Sequence, residues 1–410
     1  MNRKMKDSGI KWIGLIPNEY RIAKVKSLFN IGRGRVISLL DIDDNGEYPV
    51  YSSQTKNDGC LGYINTYDFD CSQLTWTTDG ANAGTVFLRE GKHNCTNVCG
   101  TLLPKNNINN IRYLKYALEY IAVFHKRADT NGFKIMNNEM AEIKIILPPI
   151  EEQDLIANYL DKKVSQIDKI IEITNTSIEE YRKYKESLIT EVVTKGLNSS
   201  AKMKDSGVAW NKRIPVHWEV VNGKRLFEQR KEKAFEGDKQ LTASQKHGVI
   251  YQEDFMRIEN QKVVLVEKDF SILKHVEPND FVISMRSFQG GLEYSKLRGC
   301  ISSAYVMLIP NEKVYAPYFR WLFKSVKYIN ALQSTSNLVR DGQAMRYSNF
   351  VQIPLFILPK EEQKEIADYL DKKCIEIDNI IEQKQKLLIE MESYKKSLIY
   401  ECVTGKREVK

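Results

Sequence analysis

The chain contains one of its own segments twice. Glu151-Glu152-Gln153, Ile156-Ala157, Tyr159-Leu160-Asp161-Lys162-Lys163, Ile167-Asp168 and Ile170-Ile171-Glu172 return 210 positions later, at Glu361, Ile366, Tyr369, Ile377 and Ile380 onward. The match continues without a gap through Ser187-Leu188-Ile189 and Ser397-Leu398-Ile399 to Val193-Thr194 and Val403-Thr404, with 24 of 44 positions identical. That is too many for two generic helices converging, so the chain is a duplicated half. A shorter repeat agrees: Lys4-Met5-Lys6-Asp7-Ser8-Gly9 recurs as Lys202-Met203-Lys204-Asp205-Ser206-Gly207, and both copies lead to a tryptophan (Trp12, Trp210) and an Ile-Pro pair (Ile16-Pro17, Ile214-Pro215). Residues 18–146 and 216–356, between the repeats, show little identity. Two copies of one frame therefore hold two different inserts.

The long repeat reads as helix. Leu160, Val164, Ile167, Ile171, Thr174, Ile178, Tyr181, Lys185, Leu188 and Val192 step by four and three. The second copy gives Leu370, Cys374, Ile377, Ile381, Lys384, Leu388, Met391, Lys395, Leu398 and Cys402. This is the spacing of a coiled-coil seam. At ~1.5 Å per residue each copy makes a rod of roughly 65 Å, which needs a partner along its length. The nearest partner is the other copy, paired antiparallel with pseudo-two-fold symmetry. Proline (Leu147-Pro148-Pro149, Leu358-Pro359) and then Glu-Glu announce each helix, as suits a positive helix end. Thr174, Lys185, Lys384 and Lys395 interrupt the seam, either fixing register or drifting toward solvent.

The inserts read as mixed α/β with more strand than helix. Tyr48-Pro49-Val50-Tyr51, residues 84–88, residues 263–266, residues 281–284 and residues 305–309 are short apolar or alternating runs between Asn, Asp and Gly clusters. A helix is expected over 111–122 and another over 317–332. The fold class expected is α/β, with α+β insert domains on two long coiled-coil helices. Charge divides along the same lines: +4 over 1–150, −4 over 151–194, +10 over 195–360, −4 over 361–404 and +2 beyond. Positive charge placed in the parts that differ points to a polyanion recognised by those parts.

Several classes are excluded. No stretch reaches the ~18 apolar residues of a membrane helix, and seven cysteines fit free thiols in a reducing compartment, so a cytoplasmic protein is expected. Gly91-Lys92, Gly223-Lys224 and Gly405-Lys406 are followed by His or Arg, so none is a phosphate loop. No Asn-Pro-Pro-aromatic or Asp-Pro-Pro-Tyr motif of amino-methyltransferases occurs. Gly32-Arg33-Gly34 lacks the third glycine of a cofactor loop, and Asp129, Glu142 and Lys144 form a nuclease-like pattern short enough for chance. Cys60, Cys71, His93, Cys95 and Cys99 share the first insert without zinc-ligand spacing, so no metal is expected.

The order of these parts resembles the specificity subunit of type I restriction-modification systems. The resemblance rests on the duplicated Glu-Glu-Gln…Ile-Ala-x-Tyr-Leu-Asp-Lys-Lys helix and on the Asp-Ser-Gly…Ile-Pro segments at 7–20 and 205–218. It rests also on residues 46–53, 79–86 and 280–291, and it covers nearly the whole chain. Thr77-Thr78-Asp79 stands where that family often has basic residues. The resemblance implies a non-catalytic DNA reader with target recognition domains at 1–149 and 198–357. The helix of 150–197 would act as a ruler, paired antiparallel with 358–410. Each insert would read half of a bipartite site. Two modification subunits would methylate adenine N6 with S-adenosylmethionine, and restriction subunits would add ATP- and Mg-dependent translocation and cleavage; this chain itself would bind no cofactor.

Base reading needs polar side chains that reach groove edges. In the first insert the candidates are Lys56, Asn57, Thr78, Asn82, Asn94, Asn97, Arg127, Asn131 and Lys134, all in polar, loop-like stretches. In the second they are Arg286, Ser287 and Gln289, before Gly290-Gly291, and Arg340, Gln343 and Arg346. Two rival readings are a coiled-coil adaptor joining two protein-binding domains and a stand-alone nuclease or methyltransferase. The first does not explain where the positive charge lies, and the second lacks its motifs.

Overall fold

A computed structural model describes residues 3–11, 13–43, 45–130, 132–262, 270–335 and 345–409. The repeated segments are helices, Ile150–Lys195 and Lys360–Val403, of 46 and 44 residues. Two compact units form, one of Met1–Asn175 with Lys386–Lys410 and the other of Thr176–Gln385, so each long helix contributes to both.

In the first unit an antiparallel four-stranded sheet runs in the order Val86–Arg89, Gln73–Thr77, Cys99–Pro104, Phe29–Arg33. The helix Ile111–Ala122 lies where the sequence places it, and its buried Tyr113, Leu114, Ala117, Leu118 and Ile121 recur at helical spacing on one face. Asn110 caps it, its side chain accepting from the Arg112 and Tyr113 amides. A second sheet (Cys60–Ile64, Tyr48–Tyr51, Lys92–Cys95, Phe69–Asp70) carries the loops discussed below.

The second unit has a four-stranded sheet in the order Phe227–Arg230, Val306–Pro310, Phe281–Ile283, Glu293–Tyr294. In both units the earliest strand of the four-stranded sheet lies at one edge and pairs with the strand that precedes Ile111–Ala122 or Ala316–Leu322; the next strand inward comes before the opposite edge strand in sequence. Inserts without obvious identity thus share a sheet order. Phe227, Phe281, Phe319, Phe323 and Phe350 pack together in the core of the second unit, mostly edge to face. The single helix expected over 317–332 is two, Ala316–Leu322 and Val326–Ser334. Ser325 has extended backbone there, and its buried hydroxyl donates to the Leu322 carbonyl at 2.7 Å, an alternative to the helical ladder. The strand read at 84–88 begins only at Val86, because Gly84 turns at φ 91°. The run at 263–266 lies outside the described residues.

Along the helices, Leu160, Val164, Ile167, Ile178, Leu370, Ile377, Ile381 and Leu398 are buried. Ile171, Tyr181, Leu188, Leu388 and Met391 are half-buried. In the first unit Lys395 Nζ donates to Asp168 at 2.7 Å, and Arg407 reaches back to Tyr159. In the second, Lys185 Nζ donates to Asp378 at 2.6 Å and the Lys384 ammonium lies 5.6 Å from the Tyr181 ring centroid. Rising numbers on one helix meet falling numbers on the other in both units, so the helices pair antiparallel in each. The three lysines that break the apolar seam bridge it, and Thr174 is buried.

Three further identical pairs of the repeat, Gln153/Gln363, Asp161/Asp371 and Val193/Val403, bolt the inserts to the helices. Gln153 Oε1 accepts from the Asn110 amide at 3.0 Å, and Gln363 Oε1 from the Tyr315 amide at 2.8 Å, each at the start of an insert helix. Their Nε2 groups donate at 2.9 Å to the carbonyls of Pro148 and Leu358. Asp161 accepts from Arg112 and Tyr116, Asp371 from Arg320 and Trp321. Tyr113 donates to the Val403 carbonyl and Tyr318 to the Val193 carbonyl, satisfying acceptors at the last helical turn.

Candidate nucleic-acid interface

In the first unit the strand Gln73–Thr77 runs into a turn that Gly84 closes, the Gly84 amide donating to the Thr77 carbonyl at 2.9 Å. This turn exposes Asn82, whose Nδ2 donates to Thr55 Oγ1 at 3.2 Å and so joins it to the loop bearing Lys56 and Asn57, both exposed. Asn97 is exposed between the strands Lys92–Cys95 and Cys99–Pro104; next to it, the Thr96 hydroxyl donates to Ser52 Oγ at 3.2 Å. Lys56, Asn57, Asn82 and Asn97 are therefore brought together on linked loops.

Arg127 and Lys134 lie beside them in paired strands, and both are engaged. Arg127 pairs with Glu139 at 2.7 Å, and Lys134 lies 3.1 Å from both Asp79 and Asp129. Burial works against ionised Asp79, yet hydrogen bonds from Thr78 and Lys134 hold its carboxyl below the ordinary value. Thr77-Thr78-Asp79 is thus an acidic point tied to a lysine rather than a phosphate contact.

Three candidates are corrected. Thr78 is fully buried and its hydroxyl donates to Asp79 and to the Val98 carbonyl. Asn94 is fully buried and donates to the Thr66 carbonyl at 2.7 Å. Ser287 is 1% exposed and accepts from the Ser284 amide at 2.8 Å. Each is a polar group spent satisfying backbone in the interior, where it cannot reach a base edge. Asn131, Arg340 and Gln343 lie outside the described residues.

In the second unit the equivalent strand, Phe281–Ile283, ends in a short helical turn, Ser287–Gly290, flanked by exposed Arg286 and carrying exposed Gln289. Gly291 closes this turn at φ 76°, and a Cβ there would fall 2.0 Å from the Phe323 carbonyl oxygen, so only glycine fits. Arg286 and Met285 line a cleft of about 740 Å³ with Gln245, Lys246 and Phe255. Gln245 Nε2 donates to the Arg286 carbonyl at 3.3 Å. Gln245 and Lys246, in the hairpin turn between Leu241–Ser244 and Gly248–Tyr251, escaped sequence reasoning, because tertiary packing brings them to Arg286 from about forty residues away. Arg346 is exposed before a one-turn helix, Tyr347–Phe350.

Among the described residues no group of three His, Cys, Asp or Glu side chains is placed to hold a metal ion, and no helix is long and apolar enough to cross a membrane. All seven cysteines are free thiols.

The type I restriction modification DNA specificity domain model matches residues 17–181 and 215–391. The chain is 27% identical to a protein described as the type I restriction enzyme MjaX specificity subunit of Methanocaldococcus jannaschii, over 97% of this chain and 96% of that one. It is 42% identical over 138 residues to the type I restriction enzyme MpnII specificity subunit of Mycoplasma pneumoniae, covering 33% of this chain and 42% of that one. The chain spans about half the length of most of the Mycoplasma pneumoniae relatives it matches. Among solved structures, one described in terms of complex assembly and conformational transition of the type I restriction-modification system aligns at TM-score 0.66 and 13% identity, covering 96% of this chain and 99% of that one. The HsdS subunit from Thermoanaerobacter tengcongensis aligns at TM-score 0.50 and 13% identity, over 96% and 98%.

Proposed function

The chain belongs to the type I restriction-modification DNA specificity family, whose subunits are non-catalytic and recognise DNA sequence, and on that premise we propose that it reads a bipartite double-stranded site, one half with each insert. The observation that carries this reading is the shared sheet order of the two units, ending at turns that differ in their exposed side chains: Asn82 in one, Arg286 and Gln289 in the other. A common scaffold with different polar groups at one place suits two readers of different sequence.

The acidic helix pair would keep the unread spacer between the half-sites. It would also offer its surface to two modification subunits, which would methylate adenine N6 with S-adenosylmethionine. Restriction subunits would bring ATP- and Mg-dependent translocation and cleavage, with no cofactor on this chain. The cytoplasm is where such an assembly would meet DNA.

The test is a gel shift of the full chain, with and without methyltransferase subunits, on a random-sequence duplex library, followed by sequencing of the bound fraction. Two separated half-sequences are expected. Affinity should fall steeply with salt, because phosphate contacts release counterions. Binding that ignores both sequence and salt would leave the protein-adaptor reading in its place.

A further inference from the structure

Arg89 ends the strand Val86–Arg89 with its side chain 1% exposed. The guanidinium carbon lies 3.6 Å from the Tyr51 ring centroid and 4.4 Å from that of Phe87. Its Nε donates to Thr75 Oγ1 at 3.2 Å and its Nη1 to Asp58 Oδ2 at 2.8 Å. Nη2 is buried with no hydrogen-bond partner among the described residues, and it lies 2.8 Å from where a Cβ on Gly59 would stand. The Asp58 side chain is 73% exposed. Burying a cation against so wet a partner gains little stability, so the arrangement calls for another reason.

The backbone above Arg89 supplies one. Asn57, Asp58 and Gly59 follow one another at φ 50°, 52° and 79°. L-residues enter this left-handed region singly, so two in a row before a glycine persist only where the surroundings impose them. Arg89 is part of that surrounding, beside the Ser52 amide that donates to the Gly59 carbonyl at 3.0 Å: it ties down the middle residue through its carboxylate and occupies the space beneath the third. The chain is thereby turned so that Lys56 and Asn57 stand outward, next to Asn82.

We propose that Arg89 is a positioning residue for sequence specificity, holding residues 55–59 in the one conformation that presents Lys56 and Asn57 to the half-site read by the first insert. This rests on the reading of that insert as a DNA reader. Any Arg89 variant disturbs the interior, so the decisive change is Asp58→Gly. Glycine adopts the left-handed backbone without steric cost, while the tie to Arg89 and the exposed carboxylate are lost.

The full chain, assembled with its methyltransferase subunits, is used to select from a random-sequence duplex library, wild type beside Asp58→Gly and Arg89→Met. Wild type should return two half-sequences. Asp58→Gly should lose about tenfold discrimination at one or more positions of one half-sequence, the scale of a lost base contact, while the other half-sequence stays unchanged. Arg89→Met, where it folds, should lose the same positions. An unchanged pair of half-sequences in Asp58→Gly overturns the proposal, and so does equal loss in both halves, which would mark a defect of folding or assembly. Failure of wild type itself to select any bipartite sequence would instead bring down the DNA-reader reading on which the proposal stands.

Discussion

Lys185 reaches across the helix pair of the second unit to Asp378 at 2.6 Å, and 210 positions on, Lys395 makes the same bridge to Asp168 in the first unit. One Lys-Asp pair, duplicated with its helix, is therefore made twice by exchange: each copy of the helix gives its lysine to the aspartate of the other. A sequence that pairs with its own duplicate antiparallel needs one solution for both ends.

These bridges should be measurable but modest. The lysine side chains are 26% and 21% exposed and the aspartates 56% and 49%, and pairs this wet couple by about 0.2–1 kcal/mol. Lys185→Glu should destabilise the second unit, and Lys185→Glu with Asp378→Lys should recover most of the loss. A double-mutant cycle in denaturant reads the coupling; a null coupling at low salt would reduce the pair to a surface contact without energetic weight.

The glutamines should matter more. Gln153 and Gln363 are 1% and 0% exposed; each accepts from one amide and donates twice, Gln153 to the Pro148 carbonyl and Asn109 Oδ1 and Gln363 to the carbonyls of Leu358 and Lys313. Truncation to alanine leaves those groups buried and unpaired, at about 1–3 kcal/mol each. Hydrogen exchange should locate the loss: Gln153→Ala should loosen the start of the helix Ile111–Ala122, and Gln363→Ala the start of Ala316–Leu322. Uniform loosening of both units by either variant would contradict the assignment of one bolt to each insert.

His93 sets a pH limit on the first unit. It is fully buried, its Nδ1 lies 2.8 Å from the Gly91 carbonyl oxygen and its Nε2 lies 2.9 Å from Gln73 Nε2, a pattern that suits a neutral ring donating from Nδ1 and accepting at Nε2. Burial lowers its pKa below the ordinary value of about 6.5. The unfolded chain then binds more protons than the folded one as pH drops below that value. Stability should be at its full level above it and decline on acidification toward the folded pKa. Thermal melts across this range should show the decline, and His93→Gln should flatten it. An NMR titration placing His93 at or above the ordinary value would remove the premise.

If the helix pair is a ruler, its length should set the spacer. Inserting four residues after Asn175 alone would slip the pairing, whereas matched insertions after Asn175 and after Gln385 leave the Lys395–Asp168 and Lys185–Asp378 contacts each on one side of the change. Four helical residues add ~6 Å, close to two base-pair steps of ~3.4 Å. Sequencing of the bound or methylated sites should show both half-sequences kept and the spacer one or two base pairs longer. Replacing residues 18–146 with another insert should change one half-sequence and leave the spacer alone. The opposite outcome in either experiment would separate the readers from the ruler in a different way.

The long helices, their seam, the helix Ile111–Ala122 and the strand Tyr48–Tyr51 could be read directly, because periodicity and duplication are properties of neighbours in the chain. The repeat also showed that two different inserts share one frame. What only the tertiary structure decided involves partners distant in sequence. It broke the helix after Leu322, gave both inserts the same sheet order, and took Thr78, Asn94 and Ser287 inside, where their side chains answer to backbone groups. It also put the buried cation of Arg89 beneath the turn of residues 57–59. A polar residue in a loop-like stretch looks the same in sequence whether it faces water or an unpaired carbonyl, and the difference is made by strands and turns that meet it from tens of residues away.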